Sequence, residues 1–362
     1  MREEDTRIIA WYLPQFHQLE VNNQFLGQGF TEWTNSSQAV PQFTGHYQPH
    51  IPYDVGYYDL MNIDTFKRQI YLAKNYGVYG FAFHYYWFSG TRLMEKPLEL
   101  LLKHTELEIP FCINWANENW TSVWDGGNNE LIYEQKLNAE DDEKFINDVL
   151  PIFRDKRYIK INNRPLLSIY RSDLFERKRF LDYTERLREA VRSEGFPDLF
   201  ILITTATRNR DNVIEWGADG LVEFPPHRLN ANAVEMRSEG YINPDFRGQI
   251  WSLESFIKNK EYFVEYTSEK VFRTALVSFD NTARRGRVGC NIYYDISPEM
   301  YKEWLTNIIL ETKKKYHGEE NMVFVNAWNE WAEGAHLEPD MKYGYAYLEA
   351  TTAAIMEARK RD

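Results

Sequence analysis

Short apolar runs alternate with longer amphipathic ones along the whole chain. The apolar runs cover residues 7–14, 79–87, 110–117, 165–171, 199–206, 220–226, 274–280 and 322–331, and each reads as a strand. The amphipathic stretches read as helices over 64–77, 95–104, 139–155, 181–195 and 298–316, with a last one running from Leu348 toward the C-terminus. Several open on Asp, Glu or Pro and close on Lys, Arg or Gly, as helix ends prefer. Eight strands alternating with helices predict a (β/α)8 TIM barrel with long loops, taken as one domain over residues 1–362. A doubly wound sheet is the alternative. Against it, no Gly-x-Gly-x-x-Gly follows the first run and no P-loop motif occurs.

In such a barrel, chemistry lies where the strands end. The first strand leads to Gln15 and His17, then to a long loop with Glu32 and Trp33 in GFTEWTN. The second ends in His84, Tyr85, Tyr86 and Trp87. The third runs into NWANENWTSVWDG, which carries Asn117, Glu118, Asn119, Trp120 and Trp124. The fourth delivers Tyr170 and Arg171, the sixth Glu223 and His227, and the seventh Asp280, Asn281, Arg284 and Arg285. The eighth ends in VNAWNEWAEG (325–334), with Trp328, Asn329, Glu330, Trp331 and Glu333. Ring faces stack on the C–H faces of a sugar, and amides and acids bind its hydroxyls.

Aromatic residues make up 16% of the chain, with 24 Tyr and 11 Trp, so a ring-lined cleft competes with ordinary core packing as their explanation. Lys and Arg number 42 against 54 Asp and Glu, a net charge of −12, which argues against a nucleic-acid backbone as partner. Cys112 and Cys290 sit in or beside apolar runs and read as buried thiols, with no disulfide framework or Cys-rich metal site. No window approaches 18 apolar residues, and the N-terminal stretch lacks a signal-peptide core. The expectation is a cytoplasmic protein without membrane insertion, although a trimmed export signal leaves the same trace.

Glu330 and Glu333 raise the central question. Glycosidic cleavage needs a proton for the leaving oxygen and a second carboxylate at the anomeric side. In a turn, residues three apart bring their Cβ atoms within ~5–6 Å. In an extended strand they lie nearer ~10 Å apart, at ~3.3 Å per residue. The two can work as a pair only if the strand stops near Trp331, and Gly334 permits a turn there. The plainer alternative has Glu333 capping a turn and Glu330 paired with a barrel arginine.

The segments WYLPQFH, GQGFTEWTN, INWANENWTSVWDGG, FDNTARR and VFVNAWNEWAEGAHLEPD, followed by YGYAYLEA, resemble the WbsX-like family, which is related to the endo-α-mannosidases of glycoside hydrolase family 99. The resemblance runs from about residue 7 to 357. It implies a (β/α)8 barrel and a retaining mechanism in which Glu330 is the base on the sugar's own 2-hydroxyl, giving a 1,2-anhydro sugar, and Glu333 is the general acid/base. This chemistry needs a 2-hydroxyl trans to the leaving group, as manno- and rhamno-configured α-glycosides have. Ala332 stands where the mannosidase branch carries His. The WbsX-like branch is commonly labelled glycosyltransferase, among functions of O-antigen and capsular polysaccharide biosynthesis.

Three functions compete: a retaining, endo-acting glycoside hydrolase on a bacterial polysaccharide, a glycosyltransferase, and a non-catalytic carbohydrate-binding barrel. No Asp-x-Asp motif, which many nucleotide-sugar transferases carry, is present. The expected partner is an oligo- or polysaccharide, with no cofactor and no metal. Among the remaining groups, Glu118 competes for the catalytic role and Glu32 is a candidate sugar ligand. His84 reads equally as a core histidine. His336, Glu338 and Asp340 fit no common zinc spacing. FDNTARR reads as an anion site or as salt bridges bracing its loop.

Overall fold

The computed structural model describes residues 5–121, 131–208, 212–229, 232–233, 240, 242–268 and 270–361. Nine parallel segments form a nearly closed barrel: β1 (Arg7–Tyr12), β2 (Gly80–Phe88), β3 (Phe111–Trp115), β4 (Arg164–Ile169), β5 (Phe200–Thr204), β6 (Gly220–Val222), β7 (Val271–Phe272), β8 (Thr274–Leu276) and β9 (Met322–Asn326). Their order is β7-β6-β5-β4-β3-β2-β1-β9-β8. In β1, Ala10 sits between Phe81 of β2 and Val325 of β9. Eight runs become nine segments because a short strand outside the predicted runs, Val271–Phe272, precedes the seventh and is separated from it by Arg273. The short strand pairs with β6, the seventh run with β9. Arg273 spans the seam: its guanidinium binds Glu223 and Glu311, and its carbonyl accepts from Phe324 N.

Six long helices pack around the barrel: α1 (Ile63–Tyr76), α2 (Glu95–Lys103), α3 (Ala139–Phe153), α4 (Arg177–Ser193), α5 (Pro298–Lys315) and α6 (Ala346–Lys360). Side-chain caps start several: Asn62 accepts from Asp64 N, Asn138 from Asp141 N and Ser297 from Met300 N. Helix α4 begins four residues before the periodicity predicts, with a first turn, Arg177–Phe180, that lacks the acidic residues by which helix starts are read. Among the described residues, the helical element between β5 and β6 is a 3-10 turn at Val213–Trp216, and that between β6 and β7 is a five-residue helix, Glu254–Lys258. No helix among the described residues is long and apolar enough to cross a membrane.

The predicted eighth run is shorter than it reads. Strand β9 ends at Asn326, and the chain then forms a tight hairpin: Asn329–Glu330 pairs antiparallel with Ala335–His336 around a 3-10 turn at Trp331–Glu333. Gly334 takes φ +60°, a left-handed conformation that side chains rarely adopt. A Cβ there would lie 3.2 Å from Asp280 Cβ and from His50 Cε1.

Candidate active site

The turn after β9 puts Glu330 and Glu333 into a cleft of about 760 Å³ at the carboxyl ends of the strands. Both touch one guanidinium. Arg284 Nη1 donates to Glu333 Oε1 at 2.7 Å, and Nη2 donates to Glu330 Oε2 at 3.2 Å. The same arginine also grips Glu32 through Nε (3.0 Å) and Nη2 (2.5 Å). Burial and the neighbouring Glu333 hold the Glu330 carboxyl well above the usual carboxylate range, although Arg284 opposes them.

Alternation along β2 decides which of its aromatic residues reach the cleft. His84 and Tyr86 point in, while Tyr85 and Trp87 point out against Phe145 of α3. Tyr85 hydroxyl donates to Asp148 there. Asn114 pairs with His84 Nδ1 at 3.1 Å, which leaves Nε2 facing Glu330 Oε1 at 3.7 Å. Burial and Arg284 push the His84 imidazole down to about 4, so it is neutral at physiological pH.

The opposite wall comes from β3 and β4. Glu118, Asn119 and Trp120 line it, with Tyr170 and Phe224 beside them. Arg171 holds Glu118 and also Asp173. Asn119 Oδ1 accepts from Gln135 N at 2.8 Å, and Trp120–Thr121 pairs with Leu131–Tyr133 as a small hairpin. Tyr170 hydroxyl meets His227 Nε2 at 3.0 Å. Trp124 lies outside the described residues.

Other residues expected in the site stand behind it. Glu32 has no exposed surface and lies beneath Arg284, and its Oε2 finds no partner. Trp33 donates from Nε1 to Tyr58 O and packs on Phe16 and Trp331. Asn117 is buried and bridges to β4 through Arg171 N and O. Asn329 binds both backbone groups of Leu13. Glu223 is tied to Arg273 and to Thr274 N at the barrel seam. Buried His17 does not line the cleft. Asp280 faces a separate cavity of about 460 Å³. Burial raises its carboxyl, but His46 Nε2 at 2.6 Å and Thr282 bring it below the ordinary value. Asn281 Oδ1 accepts from Asn291 N.

The two tryptophans of the turn are not ring platforms for a sugar. Trp328 and Trp331 donate their indole N–H groups to Glu338, at 3.1 and 2.7 Å. Gln69 Nε2 and Tyr58 hydroxyl complete four donors around that buried carboxylate. Burial still pushes its pKa up to about 7. Trp331 also stacks on His336, with centroids 3.8 Å apart.

The sequence places Arg284 at the mouth without linking it to the two glutamates that it binds. Its signal was an arginine in a loop facing a mouth otherwise rich in acids. Leu13, Phe88, Met94 and Phe224 add apolar lining. Phe224 could have been found by alternation, since its neighbour Glu223 turns to the seam. Among the described residues, His50, His336 and Asp340 could hold a metal ion, their ligand atoms lying within 4.8 Å of one another. In the structure these groups satisfy one another: His336 Nδ1 pairs with Glu338 O, His50 Nδ1 meets His336 Nε2 at 2.8 Å, and Tyr47 hydroxyl donates to Asp340.

Two strains of Xanthomonas campestris pv. campestris carry a protein described as uncharacterized protein WxcX, 37% identical over 353 residues. The match covers 97% of this chain and 50% of the relative, so the chain spans about half the length of the curated relatives it matches. Among solved structures, a glycoside hydrolase-like protein superposes with a TM-score of 0.60 at 15% identity, covering 97% of this chain and 94% of its own. The GH99 endo-alpha-mannosidase from Bacteroides thetaiotaomicron gives 0.60 at 12% identity, covering 99% and 98%. These likenesses establish the barrel fold. A family model described as Glycosyltransferase WbsX matches residues 8–351, and the chain belongs to that family.

Proposed function

We propose that the chain is a glycan-processing enzyme, a retaining glycoside hydrolase that cuts manno- or rhamno-configured bacterial polysaccharide internally. The observation that carries this reading is the placement of Glu330 and Glu333 on one tight turn, in one cleft, on one guanidinium. Glu330 takes the proton of the sugar 2-hydroxyl. That oxygen attacks the anomeric carbon, while Glu333 gives its proton to the departing glycosidic oxygen. Glu333 then removes a proton from water, which opens the 1,2-anhydro ring at the anomeric carbon. Glu330 returns its proton to the 2-oxygen, so both carboxyl groups end as they began. A carboxyl held above its usual range is a stronger base near neutral pH, which suits Glu330. Tyr86, Trp120 and Phe224 offer ring faces to the sugar.

The test is mass spectrometry of products from bacterial polysaccharides and manno- or rhamno-oligosaccharides, with wild type and Glu333→Gln side by side. The reading expects cleavage by wild type and none by the variant. Equal cleavage by both, or cleavage at a 2-acetamido sugar, overturns it. The family description supports a second reading, sugar transfer from an activated donor. In that case products appear only when a donor is added.

A further inference from the structure

Glu32 is the one acid of the Arg284 cluster that does not reach the cleft, and it makes the closest contact with that arginine. Its carboxyl is wholly buried, and one oxygen has no hydrogen-bond partner. A buried carboxylate without a donor on both oxygens is expensive, so something must offset it. Among the described residues the only cation it touches is Arg284, which is itself largely buried and also serves Glu330 and Glu333. One guanidinium therefore faces three carboxyl groups.

We propose that Glu32 is a positioning residue: by claiming the charge of Arg284 from below, it leaves the Glu330–Glu333 pair with a single shared proton, one acid and one carboxylate. This rests on the pair being the working pair. Both steps of the mechanism above need that protonation state. Two carboxylates sharing a site cannot both ionise easily, and here the counter-ion is already taken.

The other groups facing the pair do not supply a countercharge. His84 on β2 is neutral. Tyr86 and Tyr170 are held well above their ordinary range by burial first, and by the acids of the cleft. Glu118 on the far wall is matched by Arg171. Removing the charge of Glu32 thus acts twice in one direction. It lifts a repulsion from the pair and frees Arg284 for it.

The experiment is unfolding of wild type, Glu32→Gln and Glu32→Asp as a function of pH, with no substrate present. A carboxyl whose folded-state pKa is raised holds its proton in the fold above the ordinary 4.5. The unfolding constant then rises up to about tenfold per pH unit until the folded state also lets go. Glu338 adds a background of the same sign in every variant. In Glu32→Gln the part due to the pair should end about 1–3 pH units lower, as expected for loss of a close like charge. Glu32→Asp keeps the charge and should follow wild type. Identical pH profiles for wild type and Glu32→Gln overturn the proposal, whatever the absolute stabilities.

If Glu32→Gln does not fold, infrared spectroscopy replaces it. At neutral pH the difference between wild type and the Glu330→Gln/Glu333→Gln double variant must show one protonated carboxyl, and a difference with none overturns the proposal. Neither measurement needs turnover. Identical pH profiles with polysaccharide cleavage intact refute the role of Glu32 alone, whereas a shifted profile with no cleavage refutes hydrolysis alone.

Discussion

Glu338→Gln tests the floor of the site. Glu338 Oε1 accepts from Gln69 Nε2 (2.7 Å) and Trp328 Nε1 (3.1 Å); Oε2 accepts from Tyr58 hydroxyl (2.9 Å) and Trp331 Nε1 (2.7 Å). There is one indole on each side, and an indole N–H can only donate. Whichever way the new amide turns, its NH2 meets an indole. An orphaned buried donor costs about 1–3 kcal/mol. The remaining bonds also weaken, since bonds to an ion are roughly twice as strong as neutral ones. Relief from burying a charge offsets part of this, leaving about 2–4 kcal/mol. Unfolding entropy of ~2.1 cal/mol/K per residue over this chain makes 1 kcal/mol worth about 1.3 °C, so Tm should fall by about 3–5 °C. Calorimetry of wild type and variant at one pH is the assay. A double-mutant cycle with Trp331→Phe should show positive coupling, because removing that indole gives the amide a side without a donor. A Tm within about 1 °C of wild type, with no coupling, would refute the argument that donor geometry holds this turn.

Arg284→Met leaves Glu32 buried without a counter-ion and should lose about 3–5 kcal/mol; denaturant titration should show this, with part recovered in the Arg284→Met/Glu32→Leu double variant. Gly334→Ala must hold φ near +60° with its Cβ 3.2 Å from Asp280 and His50, so a loss of about 1–3 kcal/mol is expected by thermal denaturation. Asp280 has a depressed folded-state pKa, so its stabilisation is present above the ordinary 3.8 and lost as pH falls through the folded value. Wild type should therefore lose stability more steeply than Asp280→Asn between about pH 4 and 2 when Tm is followed against pH.

The barrel was legible because its strands are apolar throughout, as strands covered on both faces must be. The break at Arg273 was not, since a charged residue there reads as the edge of a run and its partner Glu223 lies fifty residues away. Within the site, position was easier to read than direction. His84 and Tyr86 could be separated from Tyr85 and Trp87 by the two-residue period alone. For Trp328 and Trp331 no local pattern shows where the indole N–H points. The answer depends on Glu338, and on Gln69 of α1 and Tyr58 of the segment before it, which are distant in sequence. The turn itself was foreshadowed by Gly334, but the convergence of Glu32, Glu330 and Glu333 on Arg284 joins segments about 250 residues apart.

The hairpin of Trp120–Thr121 and Leu131–Tyr133 forms a two-stranded sheet of its own, apart from the barrel. The turn that carries the acids across from it is tied instead to the end of β1 and to α1 of the barrel, Trp331 through Glu338 and Asn329 through Leu13. Selection can therefore alter one side of the groove without disturbing the other. On the glycosidase reading proposed above, descendants of this scaffold are free to drift in which glycan they accept by rebuilding the hairpin, while the turn that carries the two acids stays fixed. Libraries aimed at a new glycan belong in the hairpin, and the turn after β9 is best left untouched.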